Sequence, residues 1–316
     1  MIHQTCSDTL DGTDNLPVPG QNTGQPPVSA GQVVGRWELV ALAAEGSWAR
    51  IYRARPAEGP VDRLATYALK MPRPERRDDP AAIGLLAREA LAARSVSHRH
   101  LIAVLEAHVS REPRLLVMPW LEGATLQAAL AGGRRIDLSS VLWIARQVAE
   151  ALEALDAAGW MHGDLKPGNI FLSPEGHVTL LDLGFARRRD ETGPAAERRV
   201  MGTAQFLAPE CASSTLRPDI RSDIYSLGVV LYELLAGRPP LAGDSVGELA
   251  RGHKQTAPPS LVRLAPNLPT AVAHLVHRML AKDPLRRPQT PRELTGALVR
   301  LEIGALAVAS RMKYEG

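Results

Sequence analysis

The stretch His162-Gly-Asp-Leu-Lys-Pro-Gly-Asn169 decides how this chain reads, and Asp182-Leu-Gly184 completes it. Between them, two short apolar runs at 169–172 and 177–181 flank Ser173-Pro-Glu-Gly176, which predicts a β-hairpin with a tight turn. The groups at the two ends of that hairpin must therefore meet. Asp164 can accept a proton from an attacking hydroxyl. Lys166 can neutralise charge on a phosphoryl group in flight. Asn169 and Asp182 offer hard oxygen ligands of the kind magnesium takes. A loop in which Asp and Asn merely cap turns is the plain alternative. A base, a cation and two oxygen ligands in so short a compass count against it.

Working outward, residues 140–158 predict a helix, with Val141, Ile144, Val148, Leu152 and Leu155 on one face and Gly159 as its stop. Further upstream, residues 37–42, 50–55, 64–71, 101–105 and 115–118 read as short strands. One helix interrupts them, started by Asp79 as N-cap and Pro80 at the first helical position, with Ile83, Leu86, Ala90 and Ala93 near one face. Downstream of the hairpin the pattern is helical to the end. The expected architecture is α+β: a small β-rich lobe over residues 33–121, a larger helical lobe over 122–302, and a cleft between them suited to a ligand. Residues 303–316 read as a C-terminal tail. Residues 1–32, with the run DNLPVPGQNTGQPPVSAG, have too little apolar surface to offset ordering entropy and predict a disordered tail.

The composition fits a globular protein of 316 residues, with 45% hydrophobic and 22% charged residues. Aromatics make up only 4%, so aliphatic side chains must fill the core. A net charge of +3 is too small to argue for nucleic acid, and the short clusters Arg187–Arg189 and Arg198–Arg199 read as solvated faces. The two cysteines, Cys6 and Cys211, form no C-x-x-C; neither a disulfide framework nor a zinc site is expected, and a reducing compartment fits. The N-terminus lacks the pattern of a secretion signal, and no apolar run is long enough to span a membrane, so a cytoplasmic protein without membrane contact is expected.

With these residues in view, the chain from about Trp37 to Leu301 resembles the eukaryotic-like serine/threonine protein kinases of bacterial type, whose motifs recur here in the family's order. The resemblance implies the bilobal kinase fold, ATP and Mg2+ as cofactors, and protein substrates with Ser/Thr acceptors, the protein itself included. By resemblance, Tyr67-Ala-Leu-Lys70 makes Lys70 the residue on the α- and β-phosphates, with Glu89 as its ion-pair partner. Met118-Pro-Trp-Leu121 resembles the hinge, with Met118 as gatekeeper, the Pro119 carbonyl and the Leu121 N–H on adenine, and Ile51, Ala68 and Phe171 sandwiching it. Ordinary core packing is an equal reading for those last three. Gly202-Thr-Ala-Gln-Phe-Leu-Ala-Pro-Glu210 resembles the end of the activation segment. It makes Thr203 a substrate-platform residue and Glu210 the partner of Arg287 in a structural pair. Asp223 matches the aspartate that braces the catalytic loop.

Three departures stand out. The phosphate-covering loop is Ala44-Glu-Gly-Ser-Trp-Ala49, in which Gly46 alone survives of three glycines; if the missing ones served φ > 0, alanine costs about 1–2 kcal/mol there and holds the loop off the phosphates. The arginine before the catalytic Asp is Gly163, so a phosphate on the activation segment has lost its receiver, although Arg187–Arg189 with Thr192 offer a substitute. D-F-G is Asp182-Leu-Gly184, with Leu183 as the apolar plug. Degenerate glycines leave open a pseudokinase that binds nucleotide as a scaffold; the intact set Lys70, Glu89, Asp164, Lys166, Asn169 and Asp182 opposes it. A small-molecule phosphotransferase is a third reading, opposed by the Ala-Pro-Glu segment with Asp223 and Arg287.

Overall fold

The computed structural model describes residues 31–58, 64–133, 136–191, 204–212 and 217–314, the stretch 306–314 as backbone only. The proposed tail before Gly31 and the platform residue Thr203 lie outside the described residues, as does Thr192.

The smaller lobe holds β1 (Gln32–Val34), β2 (Trp37–Glu45), β3 (Ala49–Pro56), β4 (Tyr67–Pro72), α1 (Pro80–Ser95), β5 (Glu106–His108) and β6 (Leu115–Pro119). Its strands form one antiparallel sheet in the order β1-β2-β3-β4-β6-β5. Strand alternation sorts its residues by face. On β4, Tyr67, Leu69 and Met71 join Trp37, Leu39, Tyr52, Leu115 and Val117 in an apolar layer. Ala68 and Lys70 take the other face, opposite Met118 and Leu116 of β6 and next to Ile51 of β3. One register therefore puts a lysine and a set of apolar side chains on the surface that meets the larger lobe. Asp79 caps α1 by accepting the N–H of Ala81 at 2.9 Å, and Leu86 and Ala90 of α1 pack on Leu116.

The larger lobe begins with β7 (Ala124–Thr125), α2 (Leu126–Ala131), α3 (Leu138–Ala157) and β8 (Trp160–Met161). The hairpin β9 (Ile170–Leu172) and β10 (Val178–Leu180) follows, then β11 (Arg187–Arg188), which pairs antiparallel with β8. The rest is helical: α4 (Ile220–Ala236), α5 (Val246–Gln255), α6 (Leu261–Leu264), α7 (Thr270–Met279) and α8 (Pro291–Tyr314). The helix α3 starts two residues before the expected 140, because Asp137 accepts the N–H of Ser140 and caps it. Its apolar stripe, with those of α4, α7 and α8, builds an aliphatic core closed by Ile170, Val178 and Leu180 of the hairpin. The buried Gln147 on α3 accepts the Val178 N–H at 3.0 Å and donates to the Gly176 carbonyl at 3.1 Å, which fixes the hairpin to that helix. Other boundaries also differ from the sequence reading: β4, for example, starts at Tyr67 rather than 64. The stretch 101–105 is not a sheet strand: Leu101 sinks into the helical core and bridges Leu180, and sheet pairing starts only at Glu106. The helix α8 runs on to Tyr314, past residue 302.

A buried ion pair closes the larger lobe. The Arg287 guanidinium, fully buried, donates to Glu210 Oε1 at 2.6 Å and Oε2 at 2.8 Å. It also donates to the carbonyls of Ala281, Arg221 and Lys282, and Ser222 donates to Glu210. Removing one partner strands the other charge in the core. Arg287→Met is expected to cost about 3–5 kcal/mol in urea unfolding; a loss below about 1 kcal/mol would show that the pair is dispensable.

Candidate active site

The catalytic loop is held from below by α4. Asp223, 1% exposed, accepts the backbone N–H of His162 at 2.6 Å and of Gly163 at 2.9 Å. Burial raises its carboxyl to about 6, against the opposing pull of His162 and those two N–H groups. His162 is itself buried. Its Nδ1 accepts the Asp164 N–H at 3.2 Å, so Nε2 carries the proton and donates to the Leu181 carbonyl at 3.0 Å. Burial lowers the imidazole's pKa, in keeping with a neutral ring. The loop is thus bonded forward to the residue just before Asp182. Within it, Asn169 Nδ2 donates to the Asp164 carbonyl at 2.7 Å and to Asp164 Oδ2 at 3.1 Å, and Lys166 Nζ lies 3.0 Å from the same Oδ2. With its amide nitrogen turned to Asp164, Asn169 keeps its amide oxygen for a cation.

Above the loop, three charges share one buried point. Lys70 Nζ lies 2.6 Å from Glu89 Oε2 and 2.8 Å from Asp182 Oδ1. Burial works against the ammonium, but the two carboxylates outweigh it and hold its pKa well above the usual value. Burial also opposes Asp182, yet Lys70 and the Gly184 N–H hold it at about 2. Burial carries Glu89 up to about 7, with the neighbouring Asp182 charge adding to the rise and Lys70 opposing it. With both carboxylates ionised, two negative charges face one positive charge. Asp182 also has φ 61°, the one non-glycine positive φ among the described residues, a strained conformation of the sort found at functional sites.

Next to the triad, Ala68, Ile102 and Met118 form a small apolar cluster with Ile51, Val104, Trp120, Leu121 and Leu181 around it. Phe171 is not part of that cluster; it sits on β9, paired with Thr179 and Thr125. Leu181 was missed by the sequence reading, although its place directly before Asp182 marks it. Pro119 ends β6 opposite Tyr67.

The loop over the site departs from expectation. Ala44 pairs with Ile51 just after a register shift between Leu42 and Ala44, Ala49 pairs with Pro72, and neither alanine has a positive φ. Their methyl groups therefore carry no left-handed strain, and the cost expected for alanine at these positions does not arise. The turn closes through the Gly46 N–H on the Ala49 carbonyl at 2.9 Å. Its tip is pinned to the segment before α1: Arg76 stacks on the Trp48 ring at 4.5 Å, and the Arg73 N–H donates to the Trp48 carbonyl at 3.0 Å. The Arg73 side chain also bonds the Gly46 carbonyl at 3.3 Å and lies 2.9 Å from Glu45.

The protein kinase domain model matches residues 44–296. The chain belongs to the protein kinase family. It is 34% identical over 279 residues to the serine/threonine-protein kinase PknA of Mycobacterium tuberculosis, covering 85% of this chain and 62% of that one. It is 30% identical over 263 residues to the serine/threonine-protein kinase PrkC of Bacillus subtilis, covering 83% and 40%. A Clostridium perfringens protein named as a probable serine/threonine-protein kinase is 32% identical over 273 residues, covering 86% and 39%. The chain thus spans between about two-fifths and three-fifths of the length of these relatives. Among the described residues, no helix is long and apolar enough to cross a membrane.

In this kinase domain Gly163 is required by its backbone. It has φ 81°, and a Cβ built on it would lie 2.5 Å from the Phe185 carbonyl oxygen. An arginine there would meet backbone, not open space. Gly163→Ala is expected to lose about 1–3 kcal/mol of stability, from the positive φ and the contact together. Gly163→Arg is expected to lower phosphoryl transfer rather than restore a family feature. Calorimetry and turnover on both variants check this; an arginine variant as stable and as active as wild type would refute it.

Proposed function

We propose that this kinase domain transfers the γ-phosphoryl group of ATP, with Mg2+, to serine or threonine hydroxyls of protein substrates, itself included. One observation supports the reading: Lys70 meets Glu89 and Asp182, Lys166 and Asn169 meet Asp164, and the two groups are joined where the Leu181 N–H donates to the Asn169 carbonyl at 2.8 Å, so the residues that phosphoryl transfer needs lie close together. In this reading the adenine packs among Ile51, Ala68, Met118 and Leu121, with Phe171 at the edge. It bonds to the Pro119 carbonyl and the Leu121 N–H. Gly46 and its neighbours cover the phosphates, and Lys70 holds the α- and β-phosphates.

Asn169 and Asp182 fit a hard divalent cation: both present oxygen, and Asp182 stays ionised down to about 2. These two residues would hold Mg2+, which would supply positive charge to the phosphates. Asp164 then receives the proton of the attacking hydroxyl at its carboxylate, held in position by Asn169. Lys166 neutralises charge on the transferring group. The hydroxyl oxygen forms the new bond to phosphorus as the bond to the β-phosphate oxygen breaks, and ADP leaves with that electron pair. Positioning and charge do the work; no covalent intermediate on the protein is needed. A nucleotide-binding scaffold without turnover would use the triad but has no need of Asp164 and Lys166, which act on the acceptor hydroxyl and the transferring group.

Asp164→Asn is expected to lower transfer by about 10²–10⁴ while nucleotide affinity stays within about threefold. Retention of more than about a tenth of wild-type turnover would remove Asp164 from the base role. Trp48→Ala, which frees the loop tip from Arg76, is expected to raise the KM for ATP several-fold, with a loss of about 0.5–1 kcal/mol from the cation–π contact. An unchanged KM and unchanged rate would show that the pinned loop does not hold nucleotide.

A further inference from the structure

Arg88 precedes Glu89 on α1 and faces the segment that follows Asp182-Leu-Gly184. Its guanidinium forks onto one carboxylate: Nη1 donates to Glu191 Oε2 and Nη2 to Glu191 Oε1, both at 2.7 Å. Nη1 also donates to the Ala186 carbonyl at 3.1 Å. Glu191 is a fixed target. Its Oε2 accepts the Arg188 N–H at 3.3 Å, and its own N–H returns to the Arg188 carbonyl at 3.2 Å. The neighbouring backbone is anchored to the larger lobe by the pairing of β11 with β8, by the Arg189 N–H on the Gly159 carbonyl at 2.9 Å, and by the Arg189–Asp156 ion pair.

The tether matters because α1 is lightly packed. Its buried residues are Ala82, Leu86, Glu89, Ala90 and Ala92, of which only Leu86 is a large apolar side chain. Little apolar area resists an outward swing, and such a swing would separate Glu89 from Lys70. Gly163 has no side chain with which to bind a phosphate beside Asp164. Arg88 supplies a cation from the opposite side and meets a carboxylate that is part of the sequence. A bidentate arginine–carboxylate fork gives the charge-assisted bonding that a phosphorylated side chain would otherwise provide.

We infer that the Arg88–Glu191 fork is a positioning contact that holds α1 inward, so that the Lys70–Glu89 pair is set without any phosphate on the segment after Asp182. The inference rests on the phosphoryl-transfer reading above. The two side chains are 35% and 40% exposed, so the contact is screened by salt and its effect is moderate.

The test uses the full chain, treated with phosphatase that is then removed, with Mg-ATP and a generic basic protein as acceptor. It compares wild type with Glu191→Gln, Arg88→Gln and the exchange Arg88→Glu with Glu191→Arg. The single variants are expected to lower kcat about three- to tenfold, with unchanged melting temperatures. High salt is expected to bring wild type down toward the Glu191→Gln variant while leaving that variant nearly unchanged. The exchange is expected to recover at least about half of the lost rate, which a merely structural role for either residue does not predict. If the exchanged protein does not fold, Glu191→Gln and the salt response decide. Single variants within about 1.5-fold of wild type, or a folded exchange no better than the singles, overturn the inference. Wild type that works only before phosphatase treatment overturns it too, and leaves the function reading standing. Wild type inactive both before and after treatment sinks the function reading and this inference with it.

Discussion

Asp223 accepts the N–H groups of His162 and Gly163 from deep in the larger lobe, and the positions of the reacting groups follow from that pair of bonds. Burying a carboxylate is costly, and its pKa, raised to about 6, records that cost. The return is order. With His162 fixed, its ring bridges the Asp164 N–H and the Leu181 carbonyl, so the loop 162–169 and the start of the Asp182 segment are bonded to one another. Asn169 ties Asp164 to the foot of the hairpin, and Gln147 ties the hairpin to α3. The chain of bonds leads from a helix that touches no substrate to the atoms that would accept a proton and a cation.

The second constraint is charge. Two carboxylates share one ammonium at the junction of the lobes, and the division is unequal: Asp182 is held strongly acidic while Glu89 is carried up toward neutrality. An excess of negative charge in a buried place is stable only with a counter-charge nearby. In the reading proposed above, a cation held by the oxygens of Asn169 and Asp182 would offset part of that negative charge. The same logic operates on the outer side of α1, where a guanidinium and a carboxylate meet in partial exposure.

Much of this was legible in the sequence because the informative residues are close together in it. The hairpin fixed by Ser173-Pro-Glu-Gly176 brings Asn169 and Asp182 to one end, and strand alternation puts Ala68 and Lys70 on one face. The capped start of α1 was readable from Asp79-Pro80. What was not legible depended on distant pairings. Residues 101–105 have the composition of a strand, but the helical core competes for Leu101 and wins. The loop over the site looked damaged by its missing glycines, yet those positions are strand-paired without positive φ, and the pin that holds the tip comes from Arg73 and Arg76. The Arg88–Glu191 fork joins residues whose separation in sequence carries no local signal. Gly163 read as the loss of a side chain; the fold makes it a place where a carbonyl has taken that side chain's room.

Trp48 has a consequence of an optical kind. Its indole sits at the tip of the loop over the cleft with the Arg76 guanidinium against its face; an arginine also lies over each of Trp37, Trp120, Trp143 and Trp160, none of them on that loop, and Trp37 and Trp160 are buried. Indole emission responds to a cation placed on the ring and to access of water. Lifting the loop removes the first and increases the second at a single chromophore, while the buried pair keep their surroundings. The protein thus carries an intrinsic fluorescent gauge of whether its own cleft is covered.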